Sequence, residues 1–224
     1  MASGALALIG AFGVGASSAS AARNFKAAQE QSKNWAGYVV KNSTGKSFSS
    51  VSGSWTQPTA KANSGTAQGY SAFWVGLGGT SSRSQSLEQV GTSADSVNGR
   101  AKYYAWYELV PSAQVKLSIA IHPGDHISAR VTVSTTTVTI WLTDTTTGQS
   151  VTKSLRMNNP DSSSAEWIAE SPSTTTPQPG VYQTLPLANF GEATCTAACA
   201  TADGLAESIS DPSWSAAQVQ LTPA

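Results

Sequence analysis

The chain has 224 residues, 40% of them hydrophobic and only 12% charged, with 13 basic side chains balancing 13 acidic ones. A formal net charge of zero offers no basic surface to a phosphate backbone or an anionic bilayer, so nucleic acid and membrane are set aside as partners. The length fits one domain of generous size.

The first 22 residues contain no Lys, Arg, Asp or Glu. Residues 5–15 form a run of small apolar side chains, followed by Ala19-Ser20-Ala21, which has the shape of a signal-peptidase site. The run is too short to anchor in a bilayer. An export signal is therefore expected over residues 1–22, in preference to a disordered tail, although the customary basic residue at its start is missing. A short segment over 23–33 and a folded domain over 34–224 would follow, in a secreted, extracellular protein.

From Trp35 onward, short segments rich in Val, Ile, Thr, Tyr and Trp alternate with Gly, Ser, Thr and Pro. This pattern predicts strands at 35–41, 48–56, 71–77, 86–91, 102–110, 115–121, 126–133, 137–144, 150–155, 165–170, 187–193 and 216–222. Turn signals separate them, such as Asn42-Ser43-Thr44-Gly45 and His122-Pro123-Gly124-Asp125. Helical periodicity is missing after the N-terminus. Many short strands with regular turns imply an all-β fold, a two-sheet antiparallel β-sandwich or jelly roll. Residues 58–68 and 171–180 read as long loops, and 201–213 as irregular.

Cys195 and Cys199 are the two cysteines. In an exported protein this spacing suggests a local disulfide, since two thiolates make only half of a structural zinc site. His122 and His126 flank a Pro-Gly turn, a poor geometry for zinc. Neither metal nor cofactor is expected.

Alternation along each strand sorts side chains by face. Tyr104, Trp106 and Glu108 share one face, and Phe73, Val75 and Leu77 form a core set that leaves Trp74 and Gly76 opposite. Gln89 goes with Leu87 and Gly91, against Glu88 and Val90. Glu166 goes with Ser164 and Ile168. A consistent assembly gathers Trp74, Gln89, Trp106, Glu108 and Glu166 on the outer, concave face of one sheet. A buried carboxylate costs several kcal/mol unless it is paired or hydrogen-bonded, which marks such a face as a site. Glu88 reads as structural and Glu170, beside a Pro-rich loop, as solvated. Trp74 and Trp106 could also serve packing alone.

The ordered set Trp74-Val75-Gly76, Glu88-Gln89-Val90-Gly91, Ala105-Trp106-Tyr107-Glu108 and Ala165-Glu166-Trp167-Ile168 resembles the glutamic peptidases, or eqolisins. Asn34-Trp35-Ala36-Gly37, Thr147-Gly148-Gln149-Ser150 and Ala188-Asn189-Phe190-Gly191 extend the resemblance over residues 34–191. It implies a concanavalin A-like sandwich, a catalytic pair of Gln89 and Glu166, and Trp74, Trp106 and Glu108 lining or supporting the site. Two departures stand out: Gly78-Gly79 where fungal members carry an Asp, and Val110 where they carry an aromatic residue.

For such a pair, Glu166 would activate water and return its proton to the leaving amine, and Gln89 would donate to the oxyanion. A proton shared by Glu108 and Glu166 would give joint titration and an acid optimum. The expected function is that of a secreted, monomeric endopeptidase acting on protein or peptide substrate. A glycoside hydrolase or carbohydrate-binding module on the same scaffold is the alternative, because two carboxyls beside Trp platforms suit a sugar chain. An adhesive domain without catalysis is a third reading. Gln89 favours the peptidase, since a two-carboxylate glycosidase has no need of it. With only two histidines and no Gly-x-Ser-x-Gly elbow, a serine triad has no evident home.

Overall fold

A computed structural model of the chain describes residues 27–42, 45, 47–61, 67–81, 84–178, 181–211 and 214–221. The expected export signal over residues 1–22 lies outside them. Their strands, in chain order, begin with β1 (Ala28–Ser32), β2 (Trp35–Asn42), β3 (Phe48–Thr56), β4 (Gln68–Gly69), β5 (Ala72–Gly78) and β6 (Leu87–Val97). Next come β7 (Arg100–Val110), β8 (Val115–Lys116), β9 (His126–Ser134), β10 (Thr137–Asp144), β11 (Gln149–Arg156) and β12 (Ser164–Glu170). The last are β13 (Ser173–Thr175), β14 (Tyr182–Thr184), β15 (Thr196–Ala202), β16 (Leu205–Ser208) and β17 (Trp214–Leu221).

A nine-stranded sheet runs β1-β17-β2-β12-β5-β6-β7-β8, with β4 also on β6, and a six-stranded sheet runs β11-β10-β9-β3-β15-β16. All named pairs are antiparallel except β1 on β17. The two sheets face each other across Val51, Trp55, Phe73, Val75, Leu77, Val131, Ile140 and Leu142, all buried in one apolar core. Burying each of the Val, Leu and Ile side chains among them contributes about 1.5–3 kcal/mol. In β10, buried Val138, Ile140, Leu142 and Asp144 alternate with partly or fully exposed residues, as a sheet covered on one face requires. The all-β sandwich read from sequence is the architecture found.

The central strands of the large sheet break that alternation. Every residue of β5 is buried, and in β6 only the last escapes. A second apolar cluster of Val39, Ala72, Trp74, Leu87, Trp106, Ile168 and Val219 covers the sheet's outer face. A short stack of large side chains thus encloses whatever polar groups lie among them.

Several elements differ from expectation. Strand β6 continues past Gly91 to Val97 and turns through Asn98 (φ 51°) and Gly99 (φ 74°) into β7. Two left-handed residues make the primed turn that matches strand twist, and Asn-Gly is its strongest signal. Its polar residues are tolerated in a buried strand because they have partners. Thr92 accepts from Trp55 Nε1 at 3.0 Å, and Asp95 accepts from the Tyr104 hydroxyl at 3.1 Å. Only Val115–Lys116 of 115–121 is strand, and 187–193 supplies two isolated bridges. The expected loop at 171–180 includes β13, paired with β14, and the tail carries the β15–β16 hairpin.

The expected Cys195–Cys199 disulfide is corrected: both thiols are free. Cys199 lies opposite Ser52 in β3, between core residues Val51 and Gly53, and so faces outward. The Cys195 sulfur lies 2.7 Å from where a Cβ on Gly53 would stand, beside Trp167 and Val75, and so faces the core. Cys195, exposed as a residue just before β15, turns its sulfur inward while Cys199 turns outward, and side chains that point apart cannot be bridged. Burial pushes the Cys195 thiol up to about 11.

Candidate active site

The register of the large sheet lines up one row of residues across five strands: Val39, Glu166, Gly76, Gln89 and Glu108. Directly opposed side chains share a face. Glu166 and Gln89 are therefore neighbours but one, their Cα atoms roughly 10 Å apart with only a glycine between them. The adjacent row reads Gly37, Ile168, Trp74, Gly91, Trp106 and Lys116. All five residues singled out from sequence thus sit on the outer face of one sheet, in two neighbouring rows.

The two glycines make this packing possible. A Cβ on Gly76 would stand 2.9 Å from Cζ3 of Trp74 and 3.2 Å from Cδ1 of Leu87, so these side chains close over the gap between Glu166 and Gln89. A Cβ on Gly91 would stand 2.6 Å from the Trp74 Cβ, so the strand between Trp74 and Trp106 has no room for a side chain there. Consequently the site is enclosed: Glu166 is 0% and Gln89 4% exposed.

Gln89 donates from Nε2 to Oε2 of Glu108 at 2.7 Å, while its Oε1 is buried without a partner among the described residues. Both Glu166 oxygens and the Trp106 Nε1 are likewise buried and unpartnered. Such groups cost about 1–3 kcal/mol each and are common where a ligand is to be met. Burial raises the Glu166 carboxyl well above its ordinary 4.5; the Ser164 hydroxyl beside it, which lies outside good hydrogen-bond geometry and accepts from Thr80 at 2.9 Å, offsets part of this, Asp161 and Glu88 add to the rise, and Lys41 opposes it slightly. Burial also raises Glu108, against the hydrogen bond from Gln89. Glu108 is absent from the groups acting on Glu166 and stands two strands beyond Gly76, so a proton shared by these two is not what the geometry provides.

Three further acids belong to the site's surroundings. Glu170, expected to be solvated, accepts from Trp74 Nε1 at 2.8 Å and from Asn34 Nδ2 at 3.0 Å. Burial takes its carboxyl up to about 7 despite those bonds. Glu88 points the other way, is 0% exposed, and accepts from the Asp161 backbone N–H at 3.1 Å; burial lifts it to about 8. Asp161 fills the space beside Gly78, where a Cβ would stand 2.5 Å from its own Cβ. It accepts from the Ser84 hydroxyl and the N–H groups of Gly79 (3.2 Å) and Ser163 (2.9 Å). Burial opposes its ionisation, but those bonds prevail and hold it below 3.8. A carboxylate does stand beside Gly78-Gly79, then, supplied from the loop before β12. Glu170 could have been found by its i+4 spacing from Glu166, whereas Asp161 carries no local signal.

An apolar cavity of about 380 Å³, lined by Tyr38, Trp55, Phe73, Trp167, Phe190 and Cys195 among others, includes neither Gln89 nor Glu166. Gly37, Trp74 and Ile168 of the adjacent row also line it.

The Peptidase A4 family matches residues 33–220. Aspergillopepsin-2 of Aspergillus niger is 30% identical over 205 residues, covering 82% of this chain and 69% of that protein. Scytalido-glutamic peptidase bound to a transition-state analogue superposes with a TM-score of 0.67 at 30% identity, over 79% of this chain and 84% of the other. SCP-B, an eqolisin-family peptidase complexed with the tripeptide Ala-Ile-His, gives 0.63 at 28% identity, over 78% and 82%. The chain belongs to the Peptidase A4 family of glutamic peptidases and is a hydrolase of peptide bonds.

Proposed function

We propose that Glu166 and Gln89 form the catalytic pair of a secreted endopeptidase that works on the acidic side of neutrality. The observation that carries the reading is the shared row: a buried acid and a buried amide on one face, with only Gly76 between them. Both Glu166 oxygens and the Gln89 Oε1 are buried with no partner among the described residues. Substrate would supply polar partners that the free protein lacks.

In the proposed reaction, ionised Glu166 takes a proton from the water as its oxygen bonds to the scissile carbonyl carbon. The carbonyl π pair moves onto oxygen, and the second Nε2 proton of Gln89, the one not given to Glu108, donates to that oxyanion. Collapse re-forms the carbonyl and breaks the C–N bond, and the proton held by Glu166 passes to the leaving amine. A raised carboxyl pKa suits both halves, since the base is stronger and then keeps its proton until nitrogen needs it. Trp74, Trp106 and Glu108 would wall and support the site. Ionised Glu166 is the working form, so its raised carboxyl sets the acid limb of the rate profile, below which the base is lost.

Digestion of a denatured protein between about pH 2 and 7 with pepstatin present, comparing wild type with Glu166→Gln, tests the reading. Pepstatin-resistant cleavage by the wild type alone is expected. Full cleavage by the variant, or turnover of a β-glucan instead, would sink it.

A further inference from the structure

Glu170 closes β12 four residues after Glu166, on the same face. Its two oxygens are committed to two different elements: Oε2 to the Trp74 indole of β5 at 2.8 Å, and Oε1 to Asn34, just before β2, at 3.0 Å. Trp35 meets the Trp74 ring edge-on, with centroids 4.9 Å apart and planes at 78°. Trp74 is thereby held at its nitrogen by a charged or neutral carboxyl and at its ring by a second indole. That fixed ring carries Cζ3 over Gly76, into the gap between Glu166 and Gln89. By contrast Trp106, across Gly91, has a buried Nε1 with no partner among the described residues.

We propose that Glu170 is a positioning residue for peptide hydrolysis: through Trp74 it fixes the wall of the space in which Glu166 and Gln89 act. Without the carboxyl, the indole N–H loses its acceptor, and rotation about the Trp74 side chain moves the ring across Gly76. A displacement of about 1 Å there is enough to cost roughly a hundredfold in rate. The proposal rests on the catalytic reading of Glu166 and Gln89.

The test measures kcat and KM on a peptide substrate for wild type, Glu170→Leu, Glu170→Gln, Trp74→Phe and Glu170→Leu/Trp74→Phe, with folding followed by circular dichroism. Glu170→Leu should lose about 100-fold in kcat with a smaller change in KM. Glu170→Gln keeps an acceptor oxygen and should lose less than about tenfold. Trp74→Phe removes the donor, and in that background Glu170→Leu should cost little more, because interacting sites are not additive. A folded Glu170→Leu enzyme with wild-type kcat overturns the proposal, as does an undiminished loss in the Trp74→Phe background. If Glu170→Leu fails to fold, Trp74→Phe alone must reproduce the kcat loss, and wild-type kcat there overturns it. Failure of the underlying reading is distinguishable, since it appears as full activity in Glu166→Gln.

Discussion

Gln89 and Glu108 face each other across β6 and β7 at 2.7 Å, so one of the two amide protons of Gln89 is engaged before any substrate arrives. The remaining N–H and the unpartnered Oε1 are left for other partners. Replacing Glu108 by Leu frees the amide to rotate and should lower kcat roughly tenfold to a hundredfold. Glu108→Gln keeps an acceptor and should lose far less. Since Glu166 does not share its proton with Glu108, the acid limb of the pH–rate profile should stay in place in Glu108→Gln. A limb displaced by a full pH unit would show that the two carboxyls titrate together after all.

Gly76 separates the members of the proposed pair and lies under Trp74. A methyl group there would stand 2.9 Å from the indole and 3.1 Å from the Glu88 carbonyl oxygen, which belongs to the backbone and has little room to yield. Overpacking of this kind costs about 1–3 kcal/mol. The loss of activity in Gly76→Ala should exceed anything this destabilisation explains, because the methyl occupies the reaction space. Measuring kcat at a temperature where the variant is fully folded separates the two effects. A folded Gly76→Ala protein with normal kcat would mean that the chemistry does not cross this glycine.

How much of this was legible beforehand follows from the range of each interaction. Strand alternation sorts faces residue by residue, so Trp74, Gln89, Trp106, Glu108 and Glu166 could be assigned to one side of a sheet from local pattern alone. Their register could not, because it is fixed by long-range pairing: the opposition of Glu166 to Gly76 joins residues 90 positions apart in the chain. The Asn98-Gly99 turn is a readable signal, but Thr92, Ser93, Asp95 and Ser96 before it do not resemble a buried strand. Hydrogen bonds to Trp55 and Tyr104, invisible in the strand's own sequence, let them be buried. Glu170 misled for a similar reason, since a neighbouring Pro-rich segment says nothing about an indole arriving from another strand. Spacing suggested a disulfide for Cys195 and Cys199, but spacing alone cannot report that the chain sends the two sulfurs to opposite faces.

The thiols offer a simple check on that correction. Alkylation of the unfolded protein without reductant should label both Cys195 and Cys199, read by mass. Cys199→Ser, at an outward-facing position, should change stability by no more than about 0.5 kcal/mol. A protein that takes up label only after reduction would contradict the free thiols.

Glu88 and Asp161 give the fold two opposite pH dependences. The Glu88 carboxyl, raised from 4.5 to about 8, binds its proton more tightly in the folded state than in the unfolded one. Its contribution is fully present below pH 4.5 and is lost as pH rises toward 8, with a slope of about 1.4 kcal/mol per pH unit for a group of this kind. Asp161 is lowered below 3.8, so its contribution is present above that value and fades as pH falls through the folded pKa. The two windows overlap in mild acid, where Glu88 is still neutral and Asp161 already charged. Thermal midpoints measured across the pH range should therefore peak there. Glu88→Gln should flatten the decline between pH 4.5 and 8, and Asp161→Asn should weaken the fall at the acid end while lowering stability elsewhere, because the Ser84, Gly79 and Ser163 donors lose a charged acceptor. An unaltered alkaline slope in Glu88→Gln would show that this carboxyl is already ionised in the folded protein.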